Sequence, residues 1–270
     1  MQKQANFKTI AAVALGLLVT ALGGCGSDGE GATSTRASTM EASSNDGSDG
    51  GSDASALPRG HQHVSLDPGD FTTRIDNPYF PMAPGDHWIY REVEDGEAQR
   101  VDVTVTNRIR VVDGIEARVV HDRVSKDGEP VENTYDWYAQ DSVGNLWYLG
   151  EQTAEYKNGK VDSRAGSFEA GVGGAEAGVI MPADPTVGMS YREELLAGEA
   201  EDRARITALD RRVTVPFGSY ERVVTTSNTT PLEPKVLERK WYAPGIGPVR
   251  EDLLGGGHGR TELIEFTEGP

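Results

Sequence analysis

The chain has 270 residues, with 43 acidic against 26 basic side chains and a formal net charge of −17. A body so acidic is repelled by nucleic acid and by anionic lipid headgroups, which excludes DNA or RNA binding and a peripheral electrostatic membrane site. Its single cysteine, Cys25, leaves no disulfide and no nucleophilic thiol for the body of the chain, so stability rests on an ordinary apolar core.

Residues 1–24 have the three parts of a secretory signal: a polar start with Lys3 and Lys8, an apolar run from Ile10 to Leu22, and the small pair Gly23-Gly24. The apolar run is too short for a stable membrane span. Leu22-Gly23-Gly24-Cys25 resembles the lipobox of bacterial lipoprotein precursors, in which the cysteine is diacylated and becomes the mature N-terminus. That resemblance implies a membrane partner through lipid on Cys25 and an exported chain on the outer face of the cell membrane, or on an outer membrane if the host has one. Two acyl chains satisfy the requirement for lasting attachment, since each buried methylene contributes ~0.8 kcal/mol and a single chain holds only marginally. The alternative is an ordinary signal with a cysteine beside its cut site.

Residues 25–58 are Gly, Ser, Asp, Thr and Ala with too few apolar side chains to offset the entropy of ordering, and read as a tether. Residues 59–270 remain for the folded domain. From Asp86 onward, alternating runs such as "HWIYREV", "VDVTVTNRIRV", "EARVVHDRV", "VENTYDWYA" and "LWYLGE" are separated by Asp95-Gly96, Asp113-Gly114, Asp127-Gly128 and Gly144-Asn145. Period-two patterning joined by Asp-Gly turns predicts an antiparallel meander. The segment 171–184, "GVGGAEAGVIMPAD", is rich in small residues and proline and reads as a connector. Strands resume with "MSYREELL", "RARITALDRRVTV", "YERVVTTSN", "KVLERKWYA", "PVREDLL" and "RTELIEF", and no amphipathic helix is expected.

Four ordered matches suggest one module used twice, about 80–151 and about 185–254. Tyr90-Arg91-Glu92 recurs as Tyr191-Arg192-Glu193, Gly96-Glu97 as Gly198-Glu199, Val119-Val120 as Val223-Val224, and Trp137-Tyr138-Ala139 as Trp241-Tyr242-Ala243. The expected fold is all-β: a tandem-repeated antiparallel meander forming a curved sheet, half-barrel or sandwich-like single domain. "NPYFPMAPGDHWIYR", "VTVPFGSYERV" and "RKWYAPGIGPVRE" together resemble three blocks of a family of secreted and lipid-anchored bacterial β-proteins without an established activity. The resemblance runs from about Asp76 to Leu254 and implies fold and location. A more distant similarity, to the curved half-barrels of bacterial lipoprotein carriers, implies a concave apolar surface for an acyl chain.

Closing the Asp127-Gly128 turn as a two-residue loop sets Lys126 opposite Glu129, Val124 opposite Val131, Arg123 opposite Glu132 and His121 opposite Thr134. That register places His121, Arg123, Glu132, Thr134, Asp136 and Tyr138 on one face, with His121 diagonal to Asp136 at about 7–8 Å. A His121/Asp136 dyad beside Tyr138 has the composition of a general base; the other reading is a solvated face with charges matched across strands. His61 and His63 with Asp67 or Asp70 contain metal-ligating types, but a mobile histidine pair is the simpler reading, and no metal site is assigned. The turn Asp141 to Asn145 offers oxygens without the acid spacing of an EF-hand and reads as a hairpin with Gly144 left-handed. Trp88, Trp137, Trp147 and Trp241 fall in strands, either as packing or as the lining of an aromatic concavity for a hydrophobic or sugar ligand.

No nucleophile elbow, zinc motif, P-loop or dinucleotide fingerprint is present, so no cofactor is implied. The expectation is a non-enzymatic envelope protein that binds or carries a hydrophobic small molecule or acts as an interaction module for another envelope protein. The alternative is an exported small hydrolase or isomerase using His121 and Asp136.

Overall fold

The computed structural model describes residues 57–270; the expected signal, Cys25 and nearly all of the tether lie outside the described residues. Sixteen strands follow a short 3-10 turn at Pro68–Asp70. They are β1 (Phe71–Thr72), β2 (His87–Glu94), β3 (Glu97–Val112), β4 (Ile115–Lys126), β5 (Glu129–Asp141), β6 (Leu146–Lys157), β7 (Lys160–Ser163) and β8 (Phe168–Glu169). The second half adds β9 (Glu176–Met181), β10 (Ser190–Arg192), β11 (Glu194–Leu195), β12 (Arg203–Val215), β13 (Gly218–Thr229), β14 (Leu237–Ala243), β15 (Gly247–Gly255) and β16 (Gly259–Thr267). No α-helix occurs among the described residues.

The hairpins form where local chemistry demands them. Asp95-Gly96, Asp113-Gly114 and Asp127-Gly128 all hold positive φ at both turn residues, near 50° for the aspartates and 81–87° for the glycines. That geometry matches the right-handed twist of the flanking strands and suits Asp-Gly. Gly144 is left-handed, and the Asp141 carboxylate is the hub of its turn. Its Oδ1 accepts from the Val143 and Asn145 N–H groups and its Oδ2 from Asn145 Nδ2 and Trp147 Nε1. This turn is a hairpin whose carboxylate is already satisfied.

All pairings are antiparallel, in the order β10-β12-β13-β14-β15-β16-β2-β3-β4-β5-β6-β9-β11. The two ends of that order, β10 and β11, are consecutive in the chain with only Glu193 between them. One extended segment therefore pairs with β12 on one flank and with β9 on the other, curling the sheet into a nearly closed barrel. Segment 171–184 thus departs from the expected connector: its middle, Glu176–Met181, is β9, a buried strand on β6 and β11. The small residues have a structural use, since a Cβ on Gly178 would stand 2.3 Å from the Glu193 carbonyl. Glycine lets the two flanks of the seam meet.

The chain before β2 caps one end of the barrel. Ile75 bridges Met82, Gly245 N donates to the Pro78 carbonyl, and Phe80 enters the core edge-on to Trp88 at 6.2 Å and beside Tyr242 at 6.2 Å. Ile75, Phe80 and Met82 are all buried. Gly247 is held against the Phe80 ring so closely that a Cβ would come within 2.7 Å of it.

Candidate functional site

Alternation along the strands sends a regular series of side chains inward. From the capped end toward the opposite mouth, β2 contributes Trp88, Tyr90, Glu92 and Glu94, β5 contributes Tyr138, Asp136, Thr134 and Glu132, and β14 contributes Tyr242, Lys240 and Glu238. Stacked in the barrel, these make a layer of buried tyrosines (Tyr90, Tyr138, Tyr148, Tyr191, Tyr242) and beyond it a layer of buried acids. Glu92, Asp122, Asp136, Glu151 and Glu193 are each at most 5% exposed. The interior is thus filled with polar and aromatic side chains, and the recess at its mouth, between Glu92, Glu94, Glu238 and Glu251, measures about 20 Å³.

So many carboxyls in a low-dielectric space hold their protons. Burial first, and then repulsion from Glu251, Glu94 and Glu132, pushes Glu92 up to about 8. Burial likewise carries Asp202 to about 8 and Glu132 to about 7, and raises Asp122, Asp136, Glu151 and Glu251. The Tyr148 hydroxyl stands 2.7 Å from Asp136 Oδ1 and 2.8 Å from Glu151 Oε2. It has one proton to give, so the trio is hydrogen-bonded throughout when one of the two carboxyls keeps its own. Both Asp122 oxygens are buried without a hydrogen-bond partner. Burial alone would lower the Lys240 pKa; Glu251, Glu238 and Glu193 outweigh it and hold the ammonium well above its usual value. Its nitrogen lies 3.7 Å from Glu251 and 3.8 Å from Glu238.

The His121/Asp136 dyad does not assemble. Lys126 does face Glu129, but a bulge between Val124 and Ser125 inserts Val131, and beyond it His121 faces Tyr135, Arg123 faces Asn133 and Val124 faces Glu132. A slip of one residue sends every later side chain to the other face. His121 is therefore outside, stacked on Tyr135 at 4.4 Å and 2.7 Å from Asn133 Oδ1, while Asp136 and Tyr138 are inside. The bulge falls at Pro130, which lacks the N–H a regular ladder needs.

The tryptophans do not line one concavity. Trp88 is inside at the capped end, donating from Nε1 to the Ile246 carbonyl. Trp137 and Trp241 sit on the outer face, under Arg110 at 4.0 Å and Arg250 at 4.8 Å, and Trp147 packs edge-on to Phe71 at 6.0 Å. His61 and His63 turn to separate carboxylates, Glu201 at 3.6 Å and Glu176 at 2.6 Å, and the Asp67 side chain accepts from Gly69 N. Among the described residues, no three His, Cys, Asp or Glu side chains are arranged to hold a metal ion.

A cavity of useful size lies in the cap. An open cleft of about 460 Å³ is bordered by Pro78, Pro81, Ala83 and Pro84, with Ile75 and Met82 buried beneath it and Thr72, Thr73, Arg74, Asp76, Asn77 and Arg118 supplying the polar groups. Such a volume falls in the range of small-molecule sites, about 300–1,000 Å³. Arg118 was not foreshadowed by any motif: it sits on β4 opposite Tyr138 and reaches the cleft only because the cap folds over that end of the barrel.

Fold and site together define a capped, filled antiparallel β-barrel with an amphipathic cleft in its cap. No protein-family model matches the sequence, and no curated protein matches it significantly. Two solved structures resemble it. One is a candidate lipoprotein from Parabacteroides distasonis, 12% identical, with a TM-score of 0.39 over 71% of this chain and 99% of that one. The other is a candidate exported protein with a YmcC-like fold from Bacteroides fragilis, 14% identical, with a TM-score of 0.41 over 70% of this chain and 99% of that one. Likenesses at that level bring neither a ligand nor an activity to this chain.

Proposed function

We propose that the protein is a non-enzymatic, lipid-anchored binding protein of the cell envelope, tethered through Cys25, whose barrel is a rigid scaffold and whose ligand has a hydrophobic body. The observation that carries this reading is the open cleft of about 460 Å³ bordered by Pro78, Pro81, Ala83 and Pro84. The barrel interior, packed with tyrosines and carboxyls, does not suit an acyl chain, so the ligand's place moves from a concave sheet to the cap. Prolines make such a wall with few unsatisfied backbone N–H groups, because proline has none. Export and anchoring rest on the signal pattern and on Leu22-Gly23-Gly24-Cys25. The reading as an exported hydrolase or isomerase has lost its constellation, since His121 and Asp136 lie on opposite faces of the sheet.

The test uses the processed chain carrying Cys25→Ser, which is free of lipid and keeps every described residue. Mass spectrometry of organic extracts from the purified protein is expected to show a bound small amphiphile, and ten-carbon probes are expected to perturb the Ala83 methyl resonance. An empty protein that takes up no such probe would overturn the proposal.

A further inference from the structure

Burial works against the charge of Lys240, Arg192 and Arg118, and the first two have carboxylates beside them. Lys240 lies between Glu238 and Glu251. Arg192 has Glu176 at 3.7 Å and gives hydrogen bonds to the carbonyls of Ala177, Gly60 and Gln62. Arg118 has no carboxylate within ion-pair distance, and its bonds to carbonyls are long. Its Nη1 and Nη2 donate to the Thr106 and Thr73 carbonyls at 3.3 and 3.4 Å, beyond the usual N–H···O range. Its Nε is buried with no partner. Burial lowers its pKa and no carboxylate offsets the shift.

The cleft has one acid, Asp76, and it is engaged elsewhere. Its Oδ2 lies 3.3 Å from Arg74 Nε, and its Oδ1 accepts from Gln140 Nε2 at 2.7 Å. Arg74 and Asp76 pair with each other in solvent, which leaves Arg118 as the cation of the cleft without a carboxylate partner, in a chain whose formal charge is −17. An unmatched guanidinium beside an apolar wall is the arrangement that receives an anion, because its planar fork matches the two oxygens of a carboxylate.

We propose that the cleft binds amphiphilic carboxylates, with an aliphatic body against Pro78, Pro81 and Pro84 and a carboxylate head on the Arg118 guanidinium. A carboxylate is the simplest head whose two oxygens the guanidinium fork matches. The inference rests on the hydrophobic-ligand reading above and adds the head group.

Calorimetric titration of the processed Cys25→Ser chain with decanoate, decanol and decyltrimethylammonium tests it, since the three share a chain and differ in charge. Decanoate is expected to bind at least tenfold more tightly than decanol, and the ammonium probe not at all. Arg118→Gln is expected to bring decanoate down to the level of decanol while leaving decanol unchanged, with Arg118→Lys between the two. If Arg118→Gln does not fold, as judged by near-ultraviolet circular dichroism, raising NaCl on the unsubstituted protein replaces it: decanoate binding weakens and decanol binding does not. Equal binding of decanoate and decanol, insensitive to salt and to Arg118, would overturn the head-group assignment and leave the hydrophobic-ligand reading standing. Binding of none of the three would overturn both.

Discussion

Glu92→Gln is expected to stabilise the protein, and increasingly so as pH rises. Glu92 is buried on β2 between Gln99 on β3 and Thr261 on β16, faces Glu94, Glu132, Glu238 and Glu251, and has one carboxyl oxygen without a partner. In the unfolded chain this carboxyl ionises near 4.5; in the barrel it holds its proton to about 8. The folded chain therefore binds more protons than the unfolded one across that window. The stability associated with Glu92 is fully present below pH 4.5 and is lost as pH rises toward 8, at about 1.4 kcal/mol per pH unit. Between 4.5 and 7 the loss reaches about 3 kcal/mol, which glutamine, of the same shape and never charged, would not suffer. Urea denaturation of both proteins at half-unit steps from pH 5 to 8.5 measures it. The two curves should lie within about 1 kcal/mol of each other at pH 5 and diverge above it, with the natural protein the less stable. Parallel curves would show that Glu92 is solvated in the folded state and that the reasoning about a dry acidic interior is wrong.

Three further outcomes follow from the same interior and seam. Lys240→Met leaves Glu238 and Glu251 without their cation and should cost about 3–5 kcal/mol at pH 9, a loss that shrinks by pH 7 as the Glu251 carboxyl, raised to about 8, takes up its proton; chemical denaturation at the two pH values checks it. Gly178→Ala forces a Cβ to within 2.3 Å of the Glu193 carbonyl and should destabilise by about 1–3 kcal/mol, with faster hydrogen exchange at the Glu193, Glu194 and Leu195 amides than elsewhere in the sheet. His121→Ala removes an outer-face stack on Tyr135 and should cost about 1 kcal/mol while leaving decanoate binding unchanged. Lost binding with the fold intact would put a functional group on the face where the proposed function has none.

How much was legible follows the range of the interactions. The Asp-Gly turns could be read directly because two positive φ angles and a two-residue loop are local demands, and the alternating strands between them followed. The hidden strand β9 could not be read so, because "EAGVIM" is short, contains glycine, and becomes a strand through β6 and β11, which lie far away in sequence. Pairing around Asp127-Gly128 was correct at Lys126 and Glu129 and failed one step later, at the bulge beside Pro130. That single extra residue moved His121 outward and Asp136 inward, separating a pair that spacing had joined. The matched residues Trp137 and Trp241 each lie on the outer face beneath an arginine, and Tyr138 and Tyr242 are both buried inside, so their likeness reports packing.

The sequence by itself determined an all-β chain, its hairpins and the direction in which alternate side chains point, since these follow from dihedral preferences and period-two patterning. Only the tertiary structure decided what each face meets. Closure at residues 190–195 turned one polar face into a dry interior, where carboxyls that would ionise in water keep their protons. Folding of the cap over the far end of that interior brought Arg118 to an apolar cleft with no carboxylate to answer it. Both outcomes are matters of solvent exclusion, which depends on contacts across the whole barrel and is written in no single strand.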